Sequence, residues 1–208
     1  MKIVQFCYSM REKYFPKLPH SPHMDLESIT YFANQLGKSD IYVEFGSGGS
    51  TILAATLNVP FIVSVDSDDL WMRRVRRRLL RIQTGSQISL VHAEVGKVGS
   101  WGTPTEKVDG ELRYANTPWK AISNISSEML VLIDGRFRVT CFLVSLLNCP
   151  EGAEILFDDY YDRDSYQIVE EILKPQIRVG RSAVFIIPKD LNEFSIRTMI
   201  SSFKFDSD

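Results

Sequence analysis

Residues 41 to 51 read IYVEFGSGGST. Ile41, Tyr42 and Val43 have strand character, and the chain runs through Glu44 into Gly46, Gly48 and Gly49 before STILAATLN, which can start a helix. A strand, a glycine-rich turn and a helix N-terminus together make the elbow on which α/β domains seat nucleotide-like ligands. The G-x-G-x-x-G pattern of a dinucleotide site fails here, because Thr51 stands at the third glycine position. Glu44 also argues against a pyrophosphate, since a carboxylate repels it. The elbow calls instead for a ligand with a positive group near the turn and a ribose farther along.

Outward from this stretch the chain alternates. Upstream, Asp25 is a candidate N-cap for LESITYFANQL, with Leu26, Ile29, Phe32, Ala33 and Leu36 at helical spacing and Gly37 as the stop. Downstream, FIVSVD is a short β-branched run ending in Asp66, and LWMRRVRRRLLRIQ is an amphipathic helix with Met72, Val75, Leu79 and Ile82 on one face. ISLVHAEVG is expected to be a third strand, followed by a polar, aromatic segment from about 97 to 120 carrying Trp101, Tyr114 and Trp119. MLVLIDG, ending near Asp134, and AEILFDD, ending in Asp158 and Asp159, are two further strands, each followed by a predicted helix, VTCFLVSLLNC and SYQIVEEIL. QIRVGRSAVFIIP predicts two short antiparallel strands turning near Gly180 and Arg181, and DLNEFSIRTMISSF a last helix. Strands alternating with helices imply a parallel sheet covered on both faces, with the carboxyl ends of the strands along one edge. Glu44, Asp66, Glu94, Asp134 and the Asp158/Asp159 pair all fall at such ends.

The chain has 208 residues, 44% of them hydrophobic and 24% charged, which suits one α/β domain able to bury a sizeable core. Residues 1–24, broken by Pro16, Pro19 and Pro22, are expected to form an arm or lid, 25–188 the core, and 189–208 a C-terminal helix. A net charge of -2 gives no global reason for a nucleic-acid or membrane partner. Cys7, Cys141 and Cys149 lack metal-ligand spacing and suit free thiols in a reducing compartment, so the cytoplasm is the expected location.

VEFGSGGST resembles the first motif of the class I S-adenosylmethionine-dependent methyltransferases, E/D-x-G-x-G-x, with Glu44, Gly46, Gly48 and Ser50 on its positions. Asp66 matches the acid that in this family accepts hydrogen bonds from both ribose hydroxyls, and Glu94 lies where the family often contacts the adenine amino group. The resemblance spans roughly residues 25 to 188. It implies a Rossmann-like class I fold with a mostly parallel seven-stranded sheet, an antiparallel edge strand, and helices on both faces. It also implies S-adenosylmethionine as cofactor, held by Glu44, Phe45, Gly46, Ser47, Gly48, Ser50, Thr51, Asp66, Ser67, Glu94 and Asp134.

VLIDGRFR and ILFDDYYDR further resemble the fourth and fifth strand ends of the metal-dependent O-methyltransferases. In that branch an Asp and an Asp-Asp or Asp-Asn pair hold one magnesium ion that binds substrate hydroxyls, which implies Asp134, Asp158 and Asp159 as Mg2+ ligands. Three carboxylates suit a hard divalent ion. By the same resemblance Asp134, Arg136 and Asp158 are the candidate catalytic residues. The branch usually has a lysine or histidine just beyond the fourth-strand Asp, whereas Arg136 and Arg138 stand here. Arginine stays protonated and is no general base, but it holds carboxylates, phosphates and developing oxyanions. By this resemblance the expected acceptor is a small or carbohydrate-like molecule, acidic if Arg136 anchors it; a homodimer is compatible with all of this.

Plainer readings stand beside these. The three aspartates are also good helix caps and turn formers. The arginines of the amphipathic helix read as a solvated face more readily than as a nucleic-acid site, because the apolar stripe is intact. His20, His23 and His92 read as surface or packed histidines, and the loop aromatics as pocket walls or as pins for the loop. A methyltransferase-like domain that binds without catalysis, or a nucleic-acid methyltransferase, are the alternatives to a small-molecule enzyme.

Overall fold

The computed structural model describes residues 21–99, 102–106, 111–123 and 128–203. Its centre is a 7-stranded sheet in the order β3-β2-β1-β4-β5-β7-β6. The strands are β1 (Ile41–Phe45), β2 (Phe61–Asp66), β3 (Gln87–His92), β4 (Met129–Ile133), β5 (Glu154–Phe157), β6 (Ile177–Val179) and β7 (Ser182–Ile186). The first five pair in parallel, while β7 runs antiparallel to both β5 and β6. The reversed strand thus lies one place in from the edge.

Helices cover both faces: α1 (Leu26–Leu36), α2 (Gly49–Thr56), α3 (Asp69–Leu79), α4 (Glu111–Asn116), α5 (Arg138–Leu146) and α6 (Glu193–Phe203). Their starts follow the local chemistry. Asp25 accepts from the Ser28 amide at 2.9 Å and caps α1, and Asp68 accepts from the Trp71 amide at 3.0 Å and caps α3. The segment after β5, expected to be a helix, is a 3-10 helix over Asp164–Glu171. Its inward residues Tyr166 and Val169 lie three apart, the period of that tighter winding.

The two-residue period of β1 separates the core into two layers. Ile41, Val43 and Phe45 join Val139, Phe142, Leu143, Tyr114 and Ile196 on the face of α4, α5 and α6. Tyr42 points the other way, among Phe32, Leu36, Ala54 and Ala55 of α1 and α2. Because β1 leads through α2 to β2 on one side while β4 lies on the other, the strand order reverses between β1 and β4. A crevice at such a switch point, beyond the carboxyl ends of the strands, is where open α/β sheets take ligands.

On α3, Met72 and Val75 are buried while Arg73, Arg76 and Arg77 are exposed, and Arg73 pairs with Asp69 at 2.6 Å. The arginine face is a solvated one. Among the described residues no helix is long and apolar enough to cross a membrane. Cys141 and Cys149 are free thiols; Cys7 and His20 lie outside the described residues.

Candidate functional site

The glycine turn sits at the switch point and is built by close backbone approach. Gly46 has φ +98, and a side chain there would come within 2.8 Å of Gly135 Cα. Gly135, just past β4, faces Gly46 N and Phe45 C at 2.7 and 2.8 Å from where its own Cβ would be. The first turns after β1 and β4 therefore touch backbone to backbone, which only glycine at both positions permits.

Glu44 lies beneath this turn, not at its mouth. Residues 42 and 44 share a strand face, so Glu44 follows Tyr42 into the layer under α2 and is fully buried. Its Oε2 accepts from Tyr42 Oη at 2.8 Å and Ser50 Oγ at 2.5 Å, and its Oε1 from Thr51 Oγ1. Thr51 Oγ1 in turn accepts from the Gly48 amide at 2.9 Å. Burial pushes the Glu44 carboxyl up, and the hydroxyls of Ser50, Thr51, Ser64 and Tyr42 work against that rise. The residue expected to meet the ligand's positive group instead ties β1 to the first turn of α2 and sets the position of Gly48.

The other expected cofactor residues divide. Ser50, Thr51 and Phe45 are buried, the first two spent on Glu44 and the third in the core, its carbonyl accepting from the Asp134 amide at 3.1 Å. Asp66 ends β2 beside the turn: its Oδ2 accepts from both the Ser47 amide and Ser47 Oγ at 2.9 Å, and its Oδ1 from the Asp68 amide at 3.0 Å. Burial raises the Asp66 carboxyl, opposed by those amide bonds. Ser67 Oγ donates to the Gly102 carbonyl at 2.8 Å, and Gly102, at φ +70, brings the 102–106 loop against Asp66 and Ser67. β3 ends at His92, so Glu94 lies past the strand and is exposed, while His92 Nε2 stands 3.1 Å from the Ser67 carbonyl.

Trp71 belongs to this site and was not foreseen. Its indole Nε1 donates to the Ser47 carbonyl at 2.7 Å and its ring lies 3.8 Å from where a Gly48 Cβ would be. The sequence signal is its place three residues after the cap Asp68, in the first turn of α3 ahead of the arginines. Tyr114, by contrast, is a core residue at 1% exposure, and Trp119 packs against Phe45 with ring centroids 6.4 Å apart. Trp101 lies outside the described residues. The open groove between α3 and β3, lined by Arg76, Leu79, Leu80, Ser86 and Ile88, lies at the amino end of β3, the opposite sheet edge from the turn.

The acids of β4 and β5 do converge. Asp134, Asp158 and Asp159 each offer a carboxylate oxygen within 4.8 Å of the others. Asp158 is fully buried, and Asp159 takes φ 57, a left-handed conformation, before the Tyr161 amide donates to the Arg181 carbonyl at 3.0 Å. Two arginines enter the cluster with them. Arg138, at the start of α5 and 4% exposed, donates from Nη2 to Asp134 Oδ1 at 3.1 Å, and its Nη1 lies in ion-pair range of Asp159 Oδ2 at 3.2 Å. Arg181, in the β6–β7 turn, reaches Asp158 Oδ1 at 3.0 Å and Oδ2 at 2.6 Å, and Asp159 Oδ1 at 2.9 Å. Burial raises the Asp134 carboxyl to about 7, opposed chiefly by Arg138. The Arg181 guanidinium is held above its ordinary range, first by its hydrogen bonds to Asp158. A hard divalent ion needs free carboxylate lone pairs, and in this arrangement guanidinium groups hold both oxygens of Asp158, both of Asp159 and Oδ1 of Asp134. The donor set is right for Mg2+ and its state is not. Arg136 is half-buried, and its Nε has no hydrogen-bond partner among the described residues.

No protein-family model matches the chain, and no curated protein does. Solved structures do. A methyltransferase-like protein from Silicibacter pomeroyi is 28% identical, with TM-score 0.79, over 90% of this chain and 100% of that one. A methyltransferase from Geobacter sulfurreducens (10% identity, TM-score 0.52) matches over 88% of both chains. An O-methyltransferase from Bacillus cereus, in complex with S-adenosylhomocysteine (12% identity, TM-score 0.51), covers 97% of this chain and 76% of that one. With its strand order, reversed β7 and glycine turn at the switch point, the chain has the Rossmann-like class I fold of the S-adenosylmethionine-dependent methyltransferases.

Proposed function

We propose that this protein is a methyltransferase that uses S-adenosylmethionine to methylate a hydroxyl of a small, carbohydrate-like acceptor carrying an acidic group. The observation that supports it most is the glycine turn between β1 and α2 with Asp66 beside it, at the switch point of a methyltransferase sheet. When bound, S-adenosylmethionine supplies a sulfonium methyl that an oxygen nucleophile takes in line with the breaking S–C bond, leaving a neutral thioether.

The chain's own residues do the rest. Gly46, Ser47 and Gly48 shape the side-chain-poor turn against which the ligand lies, Asp66 accepts from ribose hydroxyls, and Glu94 lies open just past β3 for the adenine. Glu44 and Trp71 act on the ligand only through the turn, by fixing Gly48 and Ser47. Asp134, the most open of the three clustered acids with a side chain 26% exposed, receives the acceptor's hydroxyl proton. Arg136, with its unpartnered Nε, holds the acidic group. No step here runs through a metal.

Calorimetric titration with S-adenosylhomocysteine is the test. Saturable binding that Asp66→Ala weakens is the expected result, and absence of binding sinks the proposal. Transfer of a labelled methyl group across a panel of hydroxyl-bearing sugar acids and neutral sugars then tests the acceptor. Preference for the neutral sugars, or for amines, would overturn that half alone.

A further inference from the structure

We infer that the acidic cluster at the ends of β4 and β5 is a clamp closed by two arginines, not a divalent-metal centre, and that it fastens the segment Ser21–Asp25 across the glycine turn. Convergence of Asp134, Asp158 and Asp159 within 4.8 Å suits either role. The guanidinium groups decide between them. Arg138 and Arg181 both point into the space among the carboxylates, and arginine does not surrender its proton to make room for a cation. Arg138 is anchored besides: its Nε donates to the Gly135 carbonyl at 3.1 Å and its Nη1 to the Asp158 carbonyl at 2.7 Å, with the guanidinium 5.7 Å from the centre of the Tyr166 ring. A metal entering the cluster would have to displace a buried, five-donor group whose donors already match the carbonyls and carboxylates around it.

Arg181 gives the clamp its second jaw. The Nη2 that meets Asp158 also donates to the His23 carbonyl at 2.6 Å, and the Arg181 amide donates to Asp25 Oδ2 at 3.1 Å. A buried hydroxyl pair runs alongside: Ser182 Oγ donates to Asp158 Oδ1 at 2.8 Å and lies 2.9 Å from Ser28 Oγ, which donates to Asp25 Oδ2 at 2.8 Å. Gly180, at φ +55, leaves room for the Asp25 carboxylate where a side chain would collide with it. From Asp25 the chain passes back through buried Pro22 to Ser21, whose backbone lies against Gly49 at the start of α2. One ion-pair cluster therefore joins the ends of β4 and β5 to a strap that crosses the start of α2.

Both halves are testable without cofactor or acceptor, so their failure is separate from failure of the methyltransferase reading. The full chain is titrated with Mn2+, following free Mn2+ by electron paramagnetic resonance. The wild type should show no binding that Asp158→Asn abolishes, whereas Arg181→Gln, which leaves two carboxylates short of a partner, should bind Mn2+ roughly tenfold or more tightly than wild type. A single Mn2+ bound by the wild type and lost in Asp158→Asn would overturn the clamp. Hydrogen exchange of the amides of Ser21 and of residues 23–25 should rise roughly tenfold or more in Arg181→Gln while β1 and β4 stay protected. If that variant does not fold, Arg181→Lys keeps the charge, loses the fork, and should show the same local rise. Unchanged exchange in a folded variant would overturn the strap.

Discussion

At Glu44, alternation along β1 overrides what the motif leads one to expect. The position matches a family motif, yet the face it occupies is the face of Tyr42 and of the layer under α2, where its side chain is fully buried. Glu44→Ala should therefore lower stability by about 2–4 kcal/mol in urea unfolding, because it strands the Tyr42, Ser50 and Thr51 hydroxyls in a dry layer. An unchanged midpoint would put Glu44 back among the ligand contacts. Asp66→Ala differs in kind. Its bonds to Ser47 and Asp68 lie at the rim of the turn, so affinity for S-adenosylhomocysteine should fall roughly 10- to 100-fold by calorimetry, beyond any fall in melting temperature. Equal affinity in that variant would remove Asp66 from the site.

Among the elements, the turns after β1 and β4 are one unit. Gly46 and Gly135 pack backbone to backbone, with Tyr114 Oη behind Gly135. Gly135→Ala should cost about 2 kcal/mol or more in thermal unfolding, and adding Tyr114→Phe should not restore it, because Gly46 N and Phe45 C still block the new methyl at 2.7 and 2.8 Å. Full rescue by Tyr114→Phe would show that the side chain, not the backbone contact, sets the spacing of β1 and β4. Neither contact was legible beforehand. Glycine after a strand reads as a turn, and only strand order brings these two turns together.

Across the whole molecule, burial sets how stability responds to pH. Glu44, Asp66 and Asp134 all have carboxyls raised by desolvation, Asp134 from 3.8 to about 7. Between about pH 4 and 7 the folded chain therefore holds a proton on Asp134 that the unfolded chain has released, and that contribution, full below about pH 4, is lost as pH rises toward 7. The melting temperature should fall from pH 5 to 8 more steeply in wild type than in Asp134→Asn. Parallel profiles for the two proteins would show that Asp134 titrates near its ordinary value.

The sequence by itself determined the alternation of strands and helices, the antiparallel pair near Gly180, the glycine turn, and the gathering of acids along one sheet edge. Those features follow from local periodicity, caps and turn residues, which act over a few neighbouring positions. It left open that the helix after β5 winds as a 3-10 helix and carried β3 past its true end at His92, since packing sets such details. Only the tertiary structure decided what each acid faces. Arg181 lies 23 residues from Asp158, and Ser182 lies 154 from Ser28, so no local pattern announces either meeting. The charge on a buried carboxylate is balanced by whatever the fold delivers, and here it delivers two guanidinium groups to Asp134, Asp158 and Asp159.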